Sequence, residues 1–283
     1  MPPSTLGPPS TLGPPPGTLW LIRGQPNPRA APRAAADAEL YLLVGDATAA
    51  PITQTVLGEG VALPQRLRAG RPTRLKLLHF NDLHGHLASF AAGGQVPVFS
   101  RIASWLRTIR LRHREDGHVV VLAVSGGDEI GGAIFDELLG EGPESYRVHA
   151  AYRLYSQLGI DAGVLGNHDF DKGPSLLAHA IHQDARFPIL AANVAGRASD
   201  GPIASPEHPS VPGTGCMCYP AALFVVKRSR LRVGFIGQGV ATTPLPPRPS
   251  SSSTSTLRIP SGSPIPCRRL STSFPSSVLC ATC

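Results

Sequence analysis

Six consecutive apolar residues, Val119 through Val124, follow His118 in the run HVVVLAV. A strand with one wet face alternates polar and apolar side chains. An unbroken run rich in valine therefore reads as a strand covered on both faces, the pattern of a parallel sheet held between other layers. Short apolar runs recur over residues 74–79 (RLKLLH), 161–165 and 188–194, and residues 222–227 and 231–236 read as a closing strand pair. Helix-period stretches lie between them. Val98, Ile102, Trp105, Leu106 and Ile109 form one apolar stripe, with Arg101, Arg107, Arg110 and Arg112 mostly off it as a solvated basic face. Val148, Tyr152, Tyr155 and Leu158 mark a second helix, and Leu176, Leu177, Ala180 and Ile181 a third. Strands alternating with helices predict an α/β layered sheet.

The regular pattern is confined to residues 74–243. Residues 1–16 repeat PPSTLG-PPSTLG-PPPG, and residues 244–283 are dominated by Ser, Pro and Thr. Neither segment can assemble a core, so a Pro-rich tail over 1–36 and a Ser/Pro-rich tail over 244–283 are expected to be disordered. Two apolar runs, residues 19–22 and 40–44, suggest a small strand pair in front of the main domain, within an extension over 37–73.

Charge follows the same division. The chain of 283 residues has a formal net charge of +7. Residues 1–36 hold three Arg and no acid, residues 244–283 hold four Arg and no acid, and residues 37–243 balance 19 basic against 19 acidic residues. The basic excess belongs to the tails, which argues against a folded nucleic-acid surface. No run approaches the roughly 18 apolar residues of a membrane span, and the N-terminus lacks the charged and apolar regions of a secretory signal, so a cytoplasmic location is the default expectation. The five cysteines, Cys216, Cys218, Cys267, Cys280 and Cys283, are odd in number. Their spacing suits neither a disulfide framework nor a zinc site.

Three polar clusters follow three of the strand runs, where open α/β sheets place their ligands. Asn81-Asp82-Leu83-His84-Gly85 follows the first, Gly126-Gly127-Asp128 the second, and Gly166-Asn167-His168-Asp169-Phe170-Asp171 the third. Their order and residue types suit a two-metal site, which needs a bridging carboxylate, further oxygen and nitrogen donors, and room for water. Asp82 and His84 can reach one ion, Asp128 can bridge, and Asn167 can bind a second ion without adding charge. His168 is then free to act on a leaving group, with Asp171 orienting its imidazole.

With these residues in view, the chain resembles the calcineurin-like metallophosphoesterases, in particular the 5′-nucleotidase family. LKLLHFNDLHGHL, SGGDEIGGAIFDELLG and LGNHDFDKG carry the resemblance, with AANV and LRVGFIG further on, over roughly residues 74–243. It implies a metallophosphoesterase-type layered sheet sandwich, incomplete at its C-terminal half. It also implies two divalent metal ions (Mn, Zn, Mg, Co or Fe) on Asp82, His84, Asp128 and Asn167, with His168 and Asp171 as the catalytic pair. The reaction implied is hydrolysis of a phosphate monoester, most simply a nucleotide, by a metal-activated water, with His168 protonating the leaving oxygen.

The sequence departs from that pattern downstream. The family's further metal-binding histidines, including a G-H-x-H element, have no counterpart after His86, where no H-x-H occurs; after His182 the sequence offers His208, in a Pro/Ser-rich loop. His179 and His182 read as surface residues of the third helix. The first ion is left with Asp82, His84 and Asp128, and the second with Asp128 and Asn167, which implies weak metal binding. The alternative expectation is a truncated or frame-shifted inactive derivative, at most a weak metal- or nucleotide-binding module. Because the family's second sheet would draw strands from beyond residue 243, one face of the parallel sheet is expected to stand uncovered.

Overall fold

The computed structural model describes residues 18–24, 38–45, 54–58, 61, 63, 73–91, 93–194, 218–227 and 230–239. Strands β1 (Thr18–Arg23), β2 (Ala38–Val44) and β3 (Gln54–Leu57) come first. Then follow β4 (Arg74–Phe80), the small hairpin β5 (Ser89–Ala91) and β6 (Gly94–Val96), and α1 (Val98–Arg112). After these come β7 (Val119–Ser125), α2 (Ala150–Leu158), β8 (Ala162–Val164), α3 (Pro174–Asp184), β9 (Ile189–Leu190), β10 (Ala221–Val226) and β11 (Arg232–Ile236).

Strands β4, β7, β8 and β9 form a parallel sheet in the order β4-β7-β8-β9. The valine-rich run is β7, and its side chains alternate between two cores. Val121 and Ala123 face the helices, in a core with Phe99, Leu106, Tyr152, Tyr155 and Phe187. Val120, Leu122 and Val124 face the other way, against Leu40, Leu42, Ala222, Phe224, Val233 and Phe235. Burying a side chain of this size contributes roughly 1.5–3 kcal/mol, so a strand buried on both faces anchors both layers.

The second core corrects one expectation. The face predicted to stand uncovered is covered by a mixed five-stranded sheet in the order β11-β10-β2-β1-β3. The predicted closing pair is present as β10 and β11, which run antiparallel. Its inner neighbour is β2, whose Leu40 and Leu42 lie opposite Phe224 and Ala222. The strand pair β1–β2 is therefore present, but as part of the sandwich, because β10 has a free edge and a hydrophobic face that β2 matches. The predicted disordered tail over 1–36 is likewise interrupted by β1; the remainder of that segment, apart from Gly24, and the tail over 244–283 lie outside the described residues.

Helix α1 is rotated from its predicted face. Trp105 is 74% exposed, whereas Phe99, Leu106 and Arg110 are buried. The reason is polar. Arg110 donates to the carbonyls of Leu158 at 2.9 Å and Gly159 at 2.8 Å, and pairs with Asp161 at 3.0 Å. It satisfies carbonyls that the end of α2 leaves without helical partners, and so draws the helix round. No described helix is long and apolar enough to cross a membrane.

Candidate metal centre

The three polar loops leave the carboxyl ends of β4, β7 and β8, adjacent strands whose register places Phe80 beside Ser125 and Ser125 beside Gly163. The first two loops are stitched together by their backbones. Asp82 N–H donates to Gly127 at 3.1 Å, His84 N–H to Asp128 at 3.0 Å, and Gly85 N–H to Glu129 at 2.8 Å. One donor atom from each of Asp82, His84 and Asp128 consequently lies within 4.8 Å of the others. His84 Nε2 is 3.7 Å from Asp82 Oδ1.

All three residues have left-handed backbones, with φ of 55° at Asp82, 46° at His84 and 57° at Asp128; Arg230 is the other described non-glycine residue with positive φ. That conformation costs a residue with a Cβ on the order of 1–2 kcal/mol, and Asp and His tolerate it better than most. Three of the four described non-glycine residues with positive φ thus fall in one polar cluster.

Glycines let the third loop dock against the second. A Cβ on Gly127, at φ 91°, would come 2.4 Å from the Gly166 nitrogen, and one on Gly166 would come 2.1 Å from Asp128 Oδ1. Across this contact His168 N–H donates to Asp128 Oδ1 at 2.8 Å, and the His168 ring meets His84 edge-on with centroids 4.9 Å apart. His168 Nδ1 lies 2.8 Å from Asp171 Oδ2. That hydrogen bond holds the His168 imidazole above the ordinary histidine value, against a small opposing effect of burial. Asn167 precedes the single 3-10 turn His168–Phe170.

The donor set fits a divalent cation. The carbonyl of Ile130, 3.1 Å from His84 Nδ1, can only accept, so Nδ1 carries a proton and Nε2 is the ring nitrogen that faces Asp82 and would be the one to bind an ion. Two carboxylates and one imidazole suit a hard or borderline ion. The structure thus brings Asp82, His84 and Asp128 together, pairs His168 with Asp171, and places Asn167 in the same loop as that pair. His179 is half-buried, edge-on against Tyr146, and stands outside the cluster, as does His182. His208 lies outside the described residues.

Sequence reasoning passed over a supporting layer of buried acids. Asp169 accepts backbone N–H groups from Asp128 at 3.1 Å, Glu129 at 3.0 Å and Gly166 at 2.8 Å, clamping the second loop to the third. Burial pushes its carboxyl up to about 6. Glu129 accepts from Ser125 and Tyr155, and burial, followed by the Asp169 charge, pushes it up to about 8. Asp136 accepts from Gly131, Gly132 and Ala133. All three stand inside the quoted motifs; for Asp169 and Asp136 the available signal was an acid next to glycine-rich turns, whose exposed N–H groups need an acceptor.

No protein-family model matches the chain. Among curated proteins it is similar to the 5′-nucleotidase of Bos taurus, with 33% identity over 149 residues, 48% of this chain and 23% of the bovine protein. It is 29% identical over 182 residues to the snake venom 5′-nucleotidase of Naja atra, covering 60% of this chain and 29% of that one. It is 28% identical over 172 residues to the 2′,3′-cyclic-nucleotide 2′-phosphodiesterase/3′-nucleotidase of Haemophilus influenzae, covering 58% and 24%. The chain thus spans less than a third of the length of these relatives. A solved 5′-nucleotidase precursor from Thermus thermophilus aligns with 29% identity and a TM-score of 0.41, over 58% of this chain and 28% of that one. Over about half of its length the chain is thus similar to the N-terminal quarter or so of proteins named as 5′-nucleotidases and 3′-nucleotidases.

Proposed function

We propose that this chain carries the catalytic loops of a divalent-metal-dependent phosphoester hydrolase acting on nucleotides. The observation that supports it is the convergence of Asp82, His84 and Asp128 within 4.8 Å, beside the His168–Asp171 pair. Asp82, His84 and Asp128 would hold one ion, and Asp128 with Asn167 a second. Bound divalent ions would supply positive charge against phosphoryl oxygens and lower the pKa of water.

The remaining chemistry belongs to the chain. His168 has Nδ1 committed to Asp171, which leaves Nε2 as the atom that gives a proton to the leaving oxygen. Asp171 fixes the ring and stabilises its charged form. Asp128, one hydrogen bond from His168, keeps the acid and the metal-binding carboxylate in register. The relatives' names point to nucleotides as the substrate class.

The test is phosphate release from AMP and from p-nitrophenyl phosphate by the full chain with added Mn²⁺. Metal-dependent turnover is expected, lost in Asp128→Ala and reduced about 10²–10⁴-fold in His168→Ala, the range for a lost general acid. Turnover no higher than that of the two variants would overturn the reading for this chain.

A further inference from the structure

The loop after β7 continues past Asp128 into a second turn, Gly131-Gly132-Ala133, ahead of a 3-10 helix over Ile134–Leu139. This turn touches His84 twice. The Ile130 carbonyl takes the His84 Nδ1 proton at 3.1 Å, and Gly131 lies so close that a Cβ there would come 2.3 Å from the His84 ring. One oxygen of Asp136 holds the turn in place, accepting N–H from Gly131 at 3.0 Å, Gly132 at 2.7 Å and Ala133 at 3.1 Å. The other oxygen faces the first loop, where a Cβ on Gly85 would come 2.7 Å from it. Asp136 is 8% exposed.

We propose that Asp136 is a positioning residue for His84, fixing through the glycine turn the ring orientation and tautomer in which Nε2 faces Asp82 and Asp128. The inference rests on the metal-site reading for its purpose, but its physical content stands in the metal-free protein. Two adjacent glycines confer wide conformational freedom, and Gly132 already has a φ of 86°. Without an acceptor for its three N–H groups, the turn has no reason to keep the Ile130 carbonyl aimed at Nδ1. His84 can then turn over or exchange its proton between nitrogens, and the donor atom is lost for part of the time. A carboxylate suits this task better than an amide, because its charge strengthens all three hydrogen bonds and it has no N–H to place among donors.

The experiment compares wild type, Asp136→Asn and Asp136→Ala as full chains. Imidazole ¹⁵N shifts of His84 are recorded without metal at a pH where the ring is neutral, and Mn²⁺ affinity is measured by calorimetry. Wild type is expected to hold the proton on Nδ1. Asp136→Ala is expected to populate both tautomers and to bind Mn²⁺ about tenfold more weakly, the lower end for loss of an outer partner of a metal ligand. Asp136→Asn keeps one acceptor oxygen and is expected to fall between them. If Asp136→Ala does not fold, the Asn variant alone decides, by a mixed tautomer or none. A His84 that keeps its Nδ1 proton in every folded variant overturns the proposal. Failure of wild type to bind Mn²⁺ would instead overturn the metal-site reading and leave the tautomer result to judge Asp136.

Discussion

The backbone N–H of His168 donates to Oδ1 of Asp128 at 2.8 Å. The residue proposed as the acid and the carboxylate proposed to bridge two ions are thereby fixed relative to each other, across a contact that only glycine permits. Gly166→Ala tests this coupling without removing a single donor. Its Cβ would meet Asp128 Oδ1 at 2.1 Å, so Asp128 or the third loop must move. We expect Mn²⁺ affinity to fall at least about tenfold, as for other changes beside metal ligands, while the circular dichroism spectrum stays that of wild type. Wild-type affinity would mean that the loops move independently.

The residues of the candidate site stand out in sequence, and those that support them do not. Asp82, His84, Asp128, Asn167, His168 and Asp171 stand out in sequence because polar clusters directly after apolar strand runs have no place in a core, and the structure draws three of them, Asp82, His84 and Asp128, into one cluster. Asp136 and Asp169 do their work by accepting backbone N–H groups, and which amides face an acid depends on loop geometry that no spacing encodes. The same holds for the fold. Alternation of strands and helices from β4 onward follows from local periodicity. The pairing of β2 with β10 joins segments far apart in sequence, and AELYLLV carries no signal that names its partner. Arg110 read as solvated because arginine usually is; its burial is set by the carbonyls at the end of α2.

Burial pushes the imidazole of His149 down from 6.5 to about 4, where it caps α2 by accepting from Tyr152 N–H. As pH falls, the unfolded chain takes up this proton first. Stability present above about pH 6.5 therefore drains away toward pH 4, by about 3 kcal/mol in all. Glu129 acts in the opposite direction, because a carboxyl raised to about 8 favours the folded state as pH falls below that value. Comparing His149→Asn with wild type removes that background. Asn is a strong N-cap, so the variant should match wild type within about 1 kcal/mol at pH 7.5 and exceed it near pH 4.5. Parallel urea midpoints for the two proteins across that range would refute the assignment.

Asp82 is strained by its φ of 55° and has a side chain that is 52% exposed. Asp82→Gly relieves the backbone and removes one of two facing carboxylates, while the added freedom of the unfolded chain offsets part of the gain. We expect metal-free stability to be unchanged or up to about 1 kcal/mol higher, with Mn²⁺ binding lost. A clear loss of stability in urea would show that Asp82 supports the fold itself.

The covering of the parallel sheet by β1, β2, β10 and β11 makes the sandwich depend on contacts between distant segments. Phe224 is 2% exposed, lies opposite Leu40 and meets Phe235 edge-on at 5.7 Å. Phe224→Ala should cost about 3–5 kcal/mol, as for other large aromatic side chains cut from a core. Trp105→Ser, on the exposed face of α1, should stay within about 0.5 kcal/mol of wild type. Deleting residues 1–58 removes β2 from beside β10, opens that strand's edge and takes Leu40 and Leu42 out of the core on the side of β7 that carries Leu122. That variant is expected to bind a hydrophobic dye such as ANS and to self-associate through the open strand edge. A monodisperse deletion variant with a wild-type melting transition would mean that β7 is covered without these strands. Together with a near-neutral Phe224→Ala, it would remove the second layer from any account of how the loops are held.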